Sequence, residues 1–313
     1  MWRPSASIQD LRKRAAIIAK LRDFFHQHGY LEVETPILSH HGSTDVYLSN
    51  MTTCFRNRIY YLQTSPEFHM KRLLAAGSGP IFQIARVLRD DELGRWHNPE
   101  FTMLEWYQLN MDYKNLLQNS GELIQKILHC APLIEITYQQ AFITCCNIDP
   151  FNSSIEQLRA ILRNYGLDNI LPINETDKDQ LLFLLMTHTI EPWLADQGEL
   201  VALYDFPGSQ AALAQIAQER ALRFEIYYHG IELANGFYEL TDPAVQRQRF
   251  ARDCLKRQQL NLPMISIDTN LLAALEHGLP ACSGAALGLD RLIAFALHKN
   301  NITQVISFDW ERA

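Results

Sequence analysis

The chain has 313 residues, 47% of them hydrophobic and 20% charged, an ordinary mix for a soluble globular enzyme and enough for one large domain or two small ones. No apolar run reaches the roughly 18 residues of a membrane span, and the start, MWRPSASIQDLRKRAA, lacks a signal-peptide segment. Cysteines at 54, 130, 145, 146, 254 and 282 form no C-x-x-C pair, which favours reduced thiols in a cytoplasmic protein over disulfides or zinc. The net charge of −7 argues against extensive contact with a nucleic-acid backbone.

Apolar positions at 8, 11, 15, 18, 21 and 25 predict a helix over Ile8–His28, with Ser7 as N-cap and Gly29 as stop. Tyr30–Leu38 alternates like a strand, which Pro36 restricts to an edge or an interface. A strand pair is expected across Val46–Leu48 and Ile59–Leu62. Thr64-Ser65-Pro66-Glu67 reads as a helix start, with Pro66 at the first helical position and Glu67 at the positive end of the dipole. Further helices are expected near 113–129, 154–165, 178–190 and 242–258. The segment from about 140 to 200 is expected to be mostly helical, inserted beside a sheet. Val201–Asp205 is a strand, and Phe224–Leu240 a hairpin turning at His229-Gly230. Ser283–Leu297 passes from small residues into a helix near Leu289. The fold predicted is α+β: a single domain over 1–313, an antiparallel sheet with peripheral helices.

The most informative stretch is Arg86–Tyr107, RVLRDDELGRWHNPEFTMLEWY. An apolar strand ends in a charged loop, and the chain returns on an alternating run that puts Phe101, Met103, Glu105 and Tyr107 on one face. Cations for phosphates, a ring for a base and a carboxylate for an amine suit ATP and an amine substrate. The alternative is a plain hairpin with a solvated charged loop. Neither G-x-x-x-x-G-K-[ST] nor G-x-G-x-x-G after a strand occurs, so any ATP is held without those cradles.

Arg89 with HNPEF, then ELANGFYEL, then ALGLDR before a helix, together resemble the class II aminoacyl-tRNA synthetases, most closely the lysyl branch. The likeness covers residues 8–297, with its three motifs on Gly29–Leu38, Val87–Tyr107 and Gly284–Ile293. SPE at 65–67 and ALGLDR at 286–291 differ from the tRNA-charging enzymes, which have a small Ala and a Gly there. With no anticodon-binding barrel ahead of the core, these differences resemble the elongation factor P–(R)-β-lysine ligase family.

That resemblance implies activation of an amino-acid carboxylate by in-line attack on the α-phosphate of ATP, with Mg²⁺ and positioned charge carrying the rate. It implies Arg89 and Arg291 as the catalytic pair: Arg89 grips the α-phosphate and carboxylate, and Arg291 covers an adenine stacked on Phe101. An ion pair of Arg89 with Asp90, Asp91 or Glu92 is the structural alternative. Arg95 and His97 would face the outer phosphates, with Asp90, Asn98, Leu233 and Gly288 around the nucleotide. Asp91 stands where the family usually has Glu, so its contact with adenine becomes water-mediated or passes to Glu92. Ser65, Pro66, Glu67, Glu105, Tyr107 and Glu239 would form an acidic pocket for the substrate amine. Ala286, in place of a glycine, would narrow that pocket in favour of β- over α-lysine.

Glu232 and Glu239 are implied at the metal and the amine, both being candidate metal ligands. They are seven apart, so an unbroken strand would turn them to opposite faces, and a bulge at Asn235-Gly236 is expected to restore one face. The partners implied are elongation factor P, β-lysine and a second copy of the chain, with no membrane and no stable tRNA binding. A truncated lysyl-tRNA synthetase-like enzyme is the alternative. A non-catalytic regulatory paralogue is disfavoured because Arg89, Phe101, Glu232, Glu239 and Arg291 are all present.

Overall fold

Ser7 accepts a hydrogen bond from the Asp10 amide at 3.1 Å and so opens α1, Ile8–Gln27, which stops before Gly29 at φ +77°. The structure is a computed structural model, described over residues 2–90, 92–172 and 174–313. The chain forms two compact units, one of Met1–Asp112 with Glu239–Ala313 and one of Tyr113–Tyr238.

In the first unit the long strand expected over 30–38 is broken into β1 (Leu31–Glu32) and β2 (Leu38–Ser39). Pro36 offers no amide to a ladder, although the Val33 amide still donates to the Phe82 carbonyl at 2.9 Å and the Ile37 carbonyl accepts from the Gln63 amide at 2.9 Å. The strand expected at 46–48 is a turn: Asp45 Oδ1 accepts from the Tyr47 amide at 2.8 Å, and the backbone there cannot also extend. The partners of β4 (Arg58–Leu62) are instead β3, Thr52–Phe55, and β2. Helix α2, Glu67–Ala75, begins one residue after Pro66, whose carbonyl accepts from the amides of His69 and Met70.

Strands β5 (Ile81–Leu88) and β6 (Glu100–Leu109) form the expected hairpin, with Gln83 opposite Glu105 and Ile81 opposite Tyr107. Its even-numbered side is closed by α1, where Phe25 stacks on Phe82 at 4.7 Å and meets Trp106 at 5.5 Å. The odd-numbered face of β6 is thereby left to the site.

In the second unit α3 (Tyr113–Leu128) and β7 (Ile134–Thr137) lead into the predicted helical stretch. It consists of α4 (Tyr138–Cys146), α5 (Ile155–Asn164) and α6 (Lys178–Leu185), then a π-helical turn over Met186–Ile190 and α7 (Glu191–Gln197). Strands β8 (Leu200–Pro207), β9 (Ile216–Ala217), β10 (Arg220–Tyr228) and β11 (Ile231–Tyr238) follow, in the order β11-β10-β8-β7 with β9 on β10. Phe142, Leu181, Leu185, Leu194, Leu203 and Tyr227 are among its buried core. The β10–β11 turn falls on His229 and Gly230, both at positive φ, as predicted.

The bulge in β11 is not at Asn235-Gly236. Ile226 pairs with Ala234 and Tyr227 with Glu232, so the extra residue is Leu233. Leu233 and Ala234 are both buried, and the bulge lets these successive side chains escape alternation. Gly236 stays in register because the Phe224 ring lies over it, within 3.0 Å of where a Cβ would stand.

Back in the first unit, α8 (Pro243–Gln259) and α9 (Thr269–Gly278) precede β12 (Cys282–Gly288), which pairs with β6 and turns directly into α10, Leu289–Ala296.

Candidate active site

The odd face of β6 carries Phe101, Met103, Glu105 and Tyr107, within a network that its periodicity does not reveal. Glu105 is buried; its Oε2 accepts from Ser65 Oγ at 2.7 Å and its Oε1 from the Tyr107 hydroxyl at 2.7 Å. Ser65 Oγ also accepts from the Glu67 amide at 3.0 Å, joining the start of α2 to the sheet. Glu67 and Glu239 are drawn together by Lys71, whose Nζ lies 2.6 Å from Glu67 Oε1 and 2.6 Å from Glu239 Oε2. The Glu239 amide donates to the Cys282 carbonyl at 3.0 Å, which fixes it beside β12.

Three carboxylates and one ammonium share a site where Lys71, Glu105 and Glu239 are each about 2% exposed or less. Burial works to lower the Lys71 pKa, but Glu239 and Glu67 outweigh it and hold the pKa above the usual range, so the ammonium stays charged. Burial first, then the Glu67 charge, push the Glu105 carboxyl up to about 7. Burial likewise raises the Tyr107 phenol, which stays a donor.

A glutamate titrates near 4.5 when unperturbed, so between there and about 7 the folded protein holds a proton at Glu105 that the unfolded chain lacks. Folding stability from this group therefore falls as pH rises through that window, by at most about 1.4 kcal/mol per unit. The melting temperature of the wild type should drop more between about pH 5 and pH 7.5 than that of Glu105→Gln, whose amide does not titrate. Equal slopes would show that the proton is held elsewhere.

Arg89, at the mouth of the hairpin, donates from Nε to the Thr64 carbonyl at 3.3 Å and pairs with Glu92 at 3.3 Å. Its guanidinium lies over the Phe101 ring, 5.2 Å from the centroid, so the ion pair with Glu92 forms alongside the ring contact. Phe101 packs with Ala85, Val87, Met103 and Ala286. Ala286 is opposite Glu105, so its methyl lies on the strand that carries the pocket wall. Arg291 is oriented by the Trp96 carbonyl at 3.1 Å and by His97 Nε2 at 2.6 Å.

Other predicted residues are engaged differently. Arg95 donates to the Asn300 carbonyl and lies over the Trp96 ring. The Asn98 amide is used by the Glu100 carbonyl at 2.6 Å and the Trp310 amide at 3.0 Å. Asp90 is exposed, with its backbone amide on the Ser49 carbonyl, and Asp91 lies outside the described residues. Gly288 ends β12, while in the second unit Leu233 is the bulged residue of β11 and Glu232 precedes it, opposite Tyr227. Among the described residues no group of three His, Cys, Asp or Glu could hold a metal ion, and the Glu239 carboxylate is engaged by Lys71.

Three positions in or beside the candidate site escape sequence reading. Lys71 looks like a surface lysine on an amphipathic helix; only its spacing of four from Glu67 hints at a partner. Gly284 is one of many small residues, yet a Cβ there would collide with the Tyr107 ring and stand 2.6 Å from Glu239 Oε1. Asp290 is buried: it accepts from the Thr102 amide at 2.7 Å and pairs with Arg14 at 2.6 Å. It thus ties the helix bearing Arg291 to the strand bearing Phe101.

The family profile described as tRNA synthetases class II (D, K and N) matches residues 1–312. The chain belongs to this family. Among curated class II relatives, the elongation factor P–(R)-β-lysine ligase of Edwardsiella ictaluri (strain 93-146) is 49% identical, over 100% of this chain and 98% of its own. Proteins of the same name from Salmonella typhi and Hamiltonella defensa are 50% and 48% identical, with the same coverage. Class II membership brings use of ATP. No helix among the described residues is long and apolar enough to cross a membrane.

Proposed function

We propose that this chain activates (R)-β-lysine with ATP and transfers the acyl group to a lysine side chain of elongation factor P. The observation that carries the substrate class is the buried cluster of Glu67, Glu105 and Glu239 around one ammonium. With all groups ionised it has two negative charges in surplus, the complement of a diamino acid's two ammonium groups. The substrate carboxylate attacks the α-phosphorus, the bond to pyrophosphate breaks, and an acyl-adenylate forms. Arg89 neutralises charge at the reacting oxygens, while Phe101 and Arg291 are assigned to the adenine. The acceptor amine then attacks the acyl carbon, and AMP leaves. The nucleotide is taken to arrive with Mg²⁺. The acceptor and the isomer rest on the names of relatives that match over their whole length.

Intact-mass analysis of elongation factor P incubated with the enzyme, ATP, Mg²⁺ and either α- or β-lysine tests the reading. A β-lysyl increment, with no charging of tRNA in a parallel arm, is expected. Charged tRNA with unmodified protein would favour the truncated-synthetase alternative.

A two-copy assembly in the cytoplasm belongs to the same proposal. Ile37 and Leu38, beside Pro36, are 47% and 46% exposed, and Phe55 and Ile59 on the neighbouring hairpin are 56% and 67% exposed. Light scattering should read about twice 36.1 kDa, and a fully active monomer would remove the idea.

A further inference from the structure

A lysine buried inside a pocket meant for a cationic substrate calls for a reason. Lys71 is 2% exposed and follows Glu67 by one helical turn, so α2 itself sets that pair. Its reach to Glu239 is different in kind, because Glu239 is far along the chain and is held beside β12 by its own amide. The ammonium therefore takes one oxygen from each of two carboxylates delivered by unrelated segments. Glu239 Oε1 is aimed past Gly284, where the absent side chain leaves room for it and for the Tyr107 ring.

Burying an ammonium is costly, and a hydrophobic side chain of the same length on α2 would spare that cost. With every carboxylate ionised, the cluster without Lys71 would carry three negative charges, more than the amines of a diamino acid can match. With Lys71 in place the surplus is two, and the directions of Glu67 and Glu239 are fixed before substrate enters.

From this geometry we infer that Lys71 is a positioning and specificity residue, a built-in ammonium that aims Glu67 and Glu239 and sets the pocket's charge for a diamino acid. The inference rests on the reading of this cluster as the diamino-acid pocket. Lys71 touches the carboxylates and not the reacting atoms, so its effect falls on use of the amino acid and not on ATP.

The test is ATP–pyrophosphate exchange on the full-length enzyme, with β-lysine and ATP varied separately. Lys71→Met should raise the KM for β-lysine about tenfold or more and leave the KM for ATP within about twofold. Lys71→Ala should recover β-lysine use when propylammonium is added, and not with 1-propanol, which fills the same space without charge. Packing alone would leave Lys71→Met near wild type or let the alcohol rescue Lys71→Ala, and either result overturns the inference. Should the neutral variants fail to fold, Lys71→Arg decides. It keeps the charge but replaces a compact ammonium with a planar fork, so positioning predicts a raised KM for β-lysine, and a wild-type KM refutes it. If the wild type itself activates no diamino acid, the functional reading fails instead, and the two failures are told apart.

Discussion

Arg89→Ala should lower ATP–pyrophosphate exchange by about a hundredfold or more while leaving the fold intact. The guanidinium is oriented before any ligand arrives, by the Thr64 carbonyl, by Glu92 and by the Phe101 ring. A preoriented charge at a developing oxyanion is worth on the order of 3 kcal/mol or more, because no reorganisation is required at the moment of reaction. Its side chain is 23% exposed and outside the packed core, so truncation opens no large cavity. Arg89→Lys should recover only part of the loss, since an ammonium cannot hold two oxygens in a fork. Exchange within about tenfold of wild type, in a protein with an unchanged melting curve, would mean that Arg89 serves only its pair with Glu92.

The second large effect is expected from one methyl group. Gly284 lies opposite Tyr107 on β12, and Gly284→Ala would drive its Cβ into the Tyr107 ring and to 2.6 Å from Glu239 Oε1. Neither neighbour can yield easily: the tyrosine is buried and bonded to Glu105, and the glutamate is buried and bonded to Lys71. Overpacking of this kind costs about 1–3 kcal/mol, and the strain here falls on the groups that would receive the amine. The melting temperature should fall, and the KM for β-lysine should rise by about tenfold or more at nearly unchanged KM for ATP. A variant with wild-type values for both would show that the pocket is looser than its packing indicates.

Much of this site was legible because short-range rules act on it. Alternation placed Phe101, Met103, Glu105 and Tyr107 on one face of β6, and the register with β5 and β12 agrees with it. Ser7 before an apolar period and His229-Gly230 between two alternating runs are local signals, and each fell where expected. Local signals also misled. The strand expected at 46–48 lost to a turn held by Asp45, and Asn235-Gly236 suggested a bulge that lies instead at Leu233.

What the sequence determined by itself is therefore the identity of the long helices and strands, the face that the β6 side chains take and, through three ordered motifs, the family. Periodicity is a property of neighbouring residues, and the chain carries it whatever it folds against. Tertiary structure decided which distant groups meet. Lys71 is drawn between Glu67 and Glu239 only once α2 and the segment after β11 have docked. Gly284 matters only because Tyr107 and Glu239 crowd its missing side chain, and Asp290 because it reaches the Thr102 amide and Arg14. Electrostatics in a buried site depends on distance and on exclusion of water, and both arise from the packing of segments far apart in the chain.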